Sequence, residues 1–88
     1  MAFDSIIWDL DDDPDGNVQH IAEHGVTKEE VEEIFENASD ADVSRTSGRP
    51  VIFGDTGEGR HLMVAYEEID DDTVYPVTAY EVPRRRRR

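Results

Sequence analysis

One short acidic segment carries the residue types of a calcium-binding loop. Asp11, Asp13, Asp15 and Gly16 occupy its positions one, three, five and six, where carboxylate oxygens and a sharp turn surround the ion. The twelfth position, which normally supplies a bidentate glutamate, is Ala22. We therefore favour an acidic turn that suits the dipole of a following helix, and calcium binding is the alternative.

Two histidines, His20 and His24, lie one helical turn apart and enclose Glu23. Imidazoles at this spacing can bind zinc, with the glutamate as base, as in the inverted zinc-protease motif. A third ligand would have to come from elsewhere in a chain too short for a protease cleft. We favour the alternative that His24 closes a helix before Gly25, where a cation suits the helix dipole. No metal site and no cofactor is predicted.

Four residues of the second half, Arg45, Arg49, Arg60 and Tyr80, could serve phosphate chemistry. Cleavage of RNA requires cations that hold the phosphate and a base that activates the 2′-hydroxyl. The arginines could instead form ordinary surface pairs with the abundant carboxylates, and composition alone favours that interpretation. The spacing of these four residues in the sequence does not show whether they meet in one site.

The charge balance restricts the partners of this chain. Its 88 residues include 22 acidic and 9 basic side chains, for a formal net charge of −13, and five of the basic residues form the terminal run 84–88. The remaining body has 22 acidic against 4 basic residues, which leaves −18 and repels nucleic-acid backbones at long range. We expect the arginine run to be a disordered terminus; a phosphate clamp and a tail folded back on the acidic body are the alternatives.

Length and composition predict a single small domain with a modest core. The chain has no cysteine, which excludes disulfides and thiolate zinc sites. Its N-terminal segment lacks the basic region of a signal peptide, and the apolar run Ile6–Trp8 is too short to span a membrane. A cytoplasmic location is therefore expected.

Two helices that would position the candidate residues are predicted in the first half. The first begins at Pro14, is capped by Asp13 and ends before Gly25. The second carries the capping box Thr27–Glu30 and ends near Asn37. Because only about two residues join them, we expect a helical hairpin.

Alternating apolar residues predict strands on both sides of the helices. The predicted strands cover residues 3–8, 42–46, 49–54, 60–68 and 73–82. Ile6 and Trp8 share one face of the first strand. Pro76 interrupts the last strand, which indicates an edge position or a bulge, since proline cannot donate to a ladder. The predicted class is α+β, in the order β-α-α-β-β-β(-β), with a helical hairpin packed on one antiparallel sheet of about four strands.

An ordered set of short motifs runs through nearly the whole chain. These are Ile7-Trp8-Asp9, His20 to Val26, Thr27-x-x-Glu30-Val31, Ile34-Phe35, Phe53-Gly54, Gly59-Arg60, the alternation of Leu62, Val64 and Tyr66, and Val77-Thr78-Ala79. Together they resemble the BrnT family of toxins. The resemblance identifies residues 1–83 as a single BrnT-like domain, and it rests on the order of the motifs because none of them is specific alone.

This resemblance implies a compact fold similar to the RelE-like toxins, metal-independent RNA cleavage and neutralisation by a cognate antitoxin. By position it implies that Arg60 is a phosphate or transition-state cation and that His24 is an acid or base. Tyr80 and Glu81 stand where the family carries two cations, and either could act as a base. We expect substrate binding to involve three further residues, Trp8, Arg45 and Arg49.

The chain also departs from the family pattern. An Asp-rich insertion occupies about residues 11–16, and Pro83 with the arginine run replaces a C-terminal helix. The exchange of two cations for a phenol and a carboxylate removes positive charge from the implied site. Two hypotheses follow: a weak or conditional endoribonuclease toxin, and a catalytically silent domain of the same fold that binds a basic protein partner through its anionic face.

Overall fold

The computed structural model describes residues 4–83, in which two helices pack on one face of a five-stranded sheet. The elements are β1 (Ser5–Ile6), α1 (Asn17–Glu23), α2 (Lys28–Asn37), β2 (Asp40–Val43), β3 (Pro50–Asp55), β4 (His61–Asp70) and β5 (Thr73–Glu81). The predicted α+β class is confirmed. The run 84–88, predicted to be disordered, lies outside the described residues.

The sheet has the order β1-β5-β4-β3-β2. β1 runs parallel to β5, and the other neighbours are antiparallel. β1 lies within the strand predicted for residues 3–8, but the prediction of one antiparallel sheet of about four strands did not include its parallel pairing with β5. In sequence, the two helices separate β1 from the meander of β2 to β5. This long connection allows the last strand, β5, to pair with β1 in a parallel direction.

β1 is short because a side chain takes over its pairing with β5. The amide of Ile7 donates to the carbonyl of Val74 at 2.9 Å, and further along the side-chain amide of Asn17 donates to the carbonyls of Ile7 and Pro76, each at 3.0 Å. Asn17 is only 3% exposed. The buried carbonyl of Pro76 is thereby satisfied without a strand partner.

Pro76 itself lies at an irregularity in the ladder. Ala65 pairs with Thr78 but the next residue, Tyr66, pairs with Pro76, so one residue of β5 is skipped. Of the two predicted alternatives, an edge position or a bulge, the structure shows the bulge, since β5 lies between β1 and β4. Pro76 fits here because it contributes no amide to a ladder and the extra residue relieves the register.

The first helix starts later than predicted. It begins at Asn17 rather than Pro14, and its N-cap is Gly16, which makes no side-chain cap. Asp13 does not cap the helix, because its carboxylate accepts from the amide of Asp15 at 3.0 Å and its carbonyl accepts from the amide of Gly16 at 3.0 Å. This local turn competes with helix formation over the acidic segment.

The second helix forms as predicted. The hydroxyl of Thr27 accepts from the amide of Glu30 at 3.2 Å, and the Glu30 carboxylate accepts from the amide of Thr27 at 3.1 Å. The helix buries Val31, Ile34 and Phe35. It approaches β3 closely at Gly54, where a Cβ atom would lie 3.3 Å from the Ile34 side chain.

The core lies between the helices and the sheet. α1 packs on β5, and α2 packs on β3 and β4. The predicted alternation in β4 is confirmed, since Leu62, Val64 and Tyr66 belong to this core, and Ile6 and Trp8 pack against it together. A second, smaller apolar cluster comprises Val51, Phe53, Met63, Ala65 and Val82. The alternation of β4 places its Met63 and Ala65 on the face away from the helices.

Candidate functional site

Arg60 is the centre of a polar cluster between the helices and the sheet. Its Nη1 atom lies 2.8 and 2.9 Å from the two carboxylate oxygens of Glu30 and donates to the carbonyl of Gly25 at 3.0 Å. Its Nε atom donates to Glu81 at 3.4 Å. The hydrogen bond to Glu30 raises the pKa of the Arg60 guanidinium above its usual value. One guanidinium is therefore shared by two carboxylates.

The turn between β3 and β4 fixes the backbone of Arg60. Its amide donates to the hydroxyl of Thr56 at 3.1 Å, and its carbonyl accepts from the amide of Thr56 at 2.8 Å. Thr56 is 6% exposed, and Gly59 supplies the positive φ of 89° that closes the turn. This anchoring points the guanidinium toward the start of α2.

His24 and Tyr80 lie beside this cluster. Their ring centroids are 5.6 Å apart, and His24 precedes Gly25, whose carbonyl binds Arg60. Both side chains are exposed to solvent, as is Glu81, the neighbour of Tyr80 at the end of β5. Of the four residues that the sequence assigned to catalysis, Arg60 therefore contacts Glu81 and His24 contacts Tyr80. The two pairs are linked through the backbone at Gly25, which follows His24 and binds Arg60.

The sequence did not assign two neighbours of this cluster, Glu30 and His20, to the phosphate site. Glu30 was recognised only for its cap, although its carboxylate also holds Arg60 across the interface of α2 and β4. His20 lies one turn before His24 with its ring centroid 5.5 Å away, in an edge-on arrangement. The spacing of the two histidines was visible in the sequence, but no local pattern indicated the pairing of Glu30 with Arg60.

A cleft of about 480 Å³ opens between the start of α2 and the turn that carries Arg60. Four carboxylates line it and leave a strong excess of negative charge around the one guanidinium. These are Glu29, Glu30, Glu33 and Glu58. Glu33 also accepts from the amide of Gly57 at 2.7 Å, which ties α2 to the turn.

The other predicted arginines lie far from Arg60. Arg49 donates to Glu67 at 3.3 Å, seven residues further along β4 than Arg60, or about 23 Å at the rise of a strand. Arg45 is exposed in the turn between β2 and β3, near Arg49. Neither of them can hold the same phosphate group as Arg60.

Trp8, predicted to bind substrate, is part of a separate group of contacts. Its indole packs against the main core, and its N–H donates to Glu32 at 3.1 Å. On the same helix Lys28 pairs with Asp11 at 3.0 Å. These contacts fasten the first segment to α2, and they involve none of the side chains around Arg60.

The two sequence patterns that resemble metal sites lie in the acidic turn before α1 and at the end of α1. Within residues 4–83, no three histidine or carboxylate side chains are grouped so as to hold a metal ion. The calcium-like segment forms the turn closed by Asp13, and the two histidines are exposed, His20 on α1 and His24 at its C-cap. Neither described helix is long and apolar enough to cross a membrane.

The arrangement around Arg60 contains the groups that a phosphodiester transesterification needs. Arg60 can bind a phosphate, Glu81 can accept a proton, and His24 can donate one. Comparison of the chain with protein-family models, with curated proteins and with solved structures gave no match. The resemblance to BrnT toxins therefore stays a prediction.

Proposed function

We propose that this domain is a metal-independent endoribonuclease of the BrnT-like toxin type, acting in the cytoplasm, with its reaction site at Arg60. The observation that carries the proposal is that Arg60 pairs with Glu81 and also binds the carbonyl of Gly25, the residue that follows His24. Glu81 lies 3.4 Å from Arg60, and Tyr80 lies beside His24. A cation, a base and an acid are the minimum set for RNA cleavage, and Arg60, Glu81 and His24 would supply them.

In the proposed reaction, Glu81 accepts the proton of a ribose 2′-hydroxyl. The 2′-oxygen then attacks the adjacent phosphorus, and the bond between phosphorus and the 5′-oxygen breaks. Protonated His24 donates its proton to that leaving oxygen. The products are a 2′,3′-cyclic phosphate and a 5′-hydroxyl end, so no metal and no second reactant is required. Arg60 stabilises the charge on the phosphoryl oxygens.

The contacts of Arg60 make this activity weak or conditional. A phosphate must compete with Glu30 and Glu81 for the guanidinium, and the carboxylates of the cleft repel it. An antitoxin that binds the anionic surface would compete with RNA for the same region. We therefore expect slow cleavage compared with ribonucleases whose phosphate site is strongly basic.

A second candidate is a catalytically silent domain that binds a basic protein partner. The specific observation in its favour is the cleft beside Arg60, where four glutamates face one cation. Lysine and arginine side chains of a partner would find complementary charge there. This candidate requires no turnover, and it predicts that binding survives the loss of Arg60.

The two candidates are separated by expressing three proteins in bacteria and recording growth and the integrity of total RNA. The proteins are the wild type, Arg60→Ala and the matched control Arg49→Ala, which removes an arginine paired with Glu67 at the other end of the sheet. The ribonuclease proposal requires growth arrest with RNA loss in the wild type and in Arg49→Ala but not in Arg60→Ala.

Purified proteins are then incubated with an end-labelled RNA in buffer containing EDTA. Cleavage that yields cyclic phosphate ends supports the proposed reaction. Full cleavage by folded Arg60→Ala, or no cleavage by folded wild type, would reject it and leave the binding domain as the better account. Circular dichroism of each variant establishes folding, since Arg60 also connects α2 with β5.

A further inference from the structure

The outer edge of β2 is the most unusual surface outside the Arg60 cluster. β2 is the last strand of the sheet on that side, and all four of its residues, Asp40 to Val43, are exposed. Its sequence alternates acidic and apolar residues, so the two sides of this strand differ in chemistry. An exposed strand edge is a template for pairing with another chain unless it is blocked.

The register shows which backbone groups face outward. The amide of Ser44 donates to the carbonyl of Arg49, and alternation along an antiparallel ladder then turns the amides of Ala41 and Val43 away from β3. Both of these amides donate to the preceding aspartate, Ala41 to Asp40 at 2.9 Å and Val43 to Asp42 at 2.8 Å. The outward donors are thus occupied by side chains rather than by a strand.

The side-chain faces of β2 are equally distinct. Asp40 and Asp42 are registered with Phe53 and Val51, on the face away from the helices. Ala41 is registered with Ile52, a residue of the main core, so Ala41 and Val43 lie on the helix face. Val43 is 58% exposed there. Ala41 and Val43 are thus exposed on one face of β2, and Asp40 and Asp42 are exposed on the other.

We propose that the β2 edge docks an extended segment of a partner protein in which lysine or arginine alternates with apolar residues. In an antiparallel pairing, the apolar residues would lie opposite Ala41 and Val43 and exchange backbone hydrogen bonds with them. The basic residues would lie opposite Asp40 and Asp42, at the closer, non-hydrogen-bonded positions. They would draw the carboxylates from the amides of Ala41 and Val43 and free these donors for the incoming strand.

A second copy of this chain does not fit the same edge. Antiparallel pairing of β2 with itself would bring the aspartates of the two copies together, and the described body of each copy carries 22 acidic against 4 basic residues. The inference is independent of the ribonuclease proposal, because neither β2 nor its aspartates belong to the Arg60 cluster. Failure of one therefore leaves the other standing.

The probe is a blocked octapeptide of alternating lysine and valine, titrated into the full chain labelled with ¹⁵N at low salt. We expect amide shift changes centred on β2 that saturate and that weaken at high salt. The peptide methylated on its valine amides should not bind, whereas the one methylated on its lysine amides should, since only the valine amides face β2. A block-ordered peptide of the same composition controls for simple charge attraction.

Two pairs of variants test the residues. Val43→Pro removes an outward amide that the ladder with β3 does not use, and it should abolish binding, whereas Val43→Thr should retain it. Replacing both Asp40 and Asp42 with Asn keeps the acceptor oxygens and should weaken binding by about tenfold, as expected for two exposed charge pairs. Asp71→Asn in the turn before β5 is the matched control.

Four results would overturn the proposal. They are no saturable binding to the wild type, equal binding of the block-ordered peptide, unchanged binding by folded Val43→Pro, and shift changes centred on the Glu30 cleft. A dimer of the wild type that Val43→Pro dissociates would identify a second copy as the occupant and would overturn it as well.

Discussion

The hydroxyl of Tyr75 donates a 2.6 Å hydrogen bond to Oδ2 of Asp9, across the boundary between β5 and the segment that follows β1. The same oxygen accepts from the amide of Asn17 at 2.9 Å. The hydrogen bond from Tyr75 lowers the pKa of Asp9, and it raises the pKa of Tyr75 to about 12. This pair joins the two ends of the described chain through side chains.

The Tyr75 pair predicts how stability changes at high pH. The pKa of Tyr75 rises from its ordinary value of 10.0 to about 12 in the folded state. The stabilisation of the fold by protonated Tyr75 is therefore complete below pH 10 and is lost between pH 10 and about 12. Urea unfolding between pH 10 and about 12 should show a steeper decrease in the free energy of unfolding for the wild type than for Tyr75→Phe. Tyr66, whose pKa is raised by burial, is present in both proteins. Parallel curves would contradict the prediction.

Asn17→Ala should destabilise the fold strongly. It removes the hydrogen bonds to the carbonyls of Ile7 and Pro76 and the acceptor for the amide of Asp9, and it leaves the buried carbonyl of Pro76 without a partner. We expect a loss of about 3 kcal/mol in the free energy of unfolding, measured with urea. The exposed neighbour Gln19→Ala is the control, and a similar loss there would argue against a specific role of Asn17.

Glu30→Gln should increase the activity proposed for Arg60. The change removes the negative charge of one of the two carboxylates that pair with the guanidinium, and it keeps the side-chain oxygen that caps α2. We expect about fivefold faster RNA cleavage, which corresponds to about 1 kcal/mol of interaction made available to phosphate. Initial rates on the same labelled RNA test this. Glu33→Gln, which alters a neighbouring carboxylate, should have a smaller effect, and equal rates for all three proteins would refute the competition.

His24→Gln should slow cleavage by about a hundredfold while the fold is retained, since an exposed proton donor is lost and few packing contacts change. His20→Gln serves as the matched control on the same helix face. Comparison of single-turnover rates is the appropriate measurement. Equal losses from both variants would point to a shared effect on α1 rather than to proton transfer by His24.

Thr27→Ala tests the capping box independently of function. The loss of the side-chain acceptor for the amide of Glu30 should cost about 1 kcal/mol of unfolding free energy. Thr27→Ser should restore most of it because the hydroxyl is retained. Thermal unfolding followed by circular dichroism provides the comparison. An unchanged midpoint in Thr27→Ala would show that Glu30 is held sufficiently by Arg60.

Features that depend on neighbouring residues were predictable from the sequence. The capping box at Thr27, the alternation of β4 and the bulge near Pro76 all arise from local chemistry, and each is present in the structure. The start of α1 was predicted wrongly at Pro14, because the carboxylate of Asp13 caps a turn instead of a helix. Dipeptide signals did not distinguish these two uses of an aspartate.

The sequence by itself determined the class of the fold, the acidic character of the body and the residue types that could act on a phosphate. Only the tertiary structure decided which of them meet. It brought Arg60 to Glu30 and Glu81, and it paired Arg49 with Glu67, about 23 Å from Arg60 along β4. It also created the parallel β1 strand, which Asn17 completes. Such contacts link residues far apart in the chain, so they depend on how helices and strands pack rather than on any local pattern.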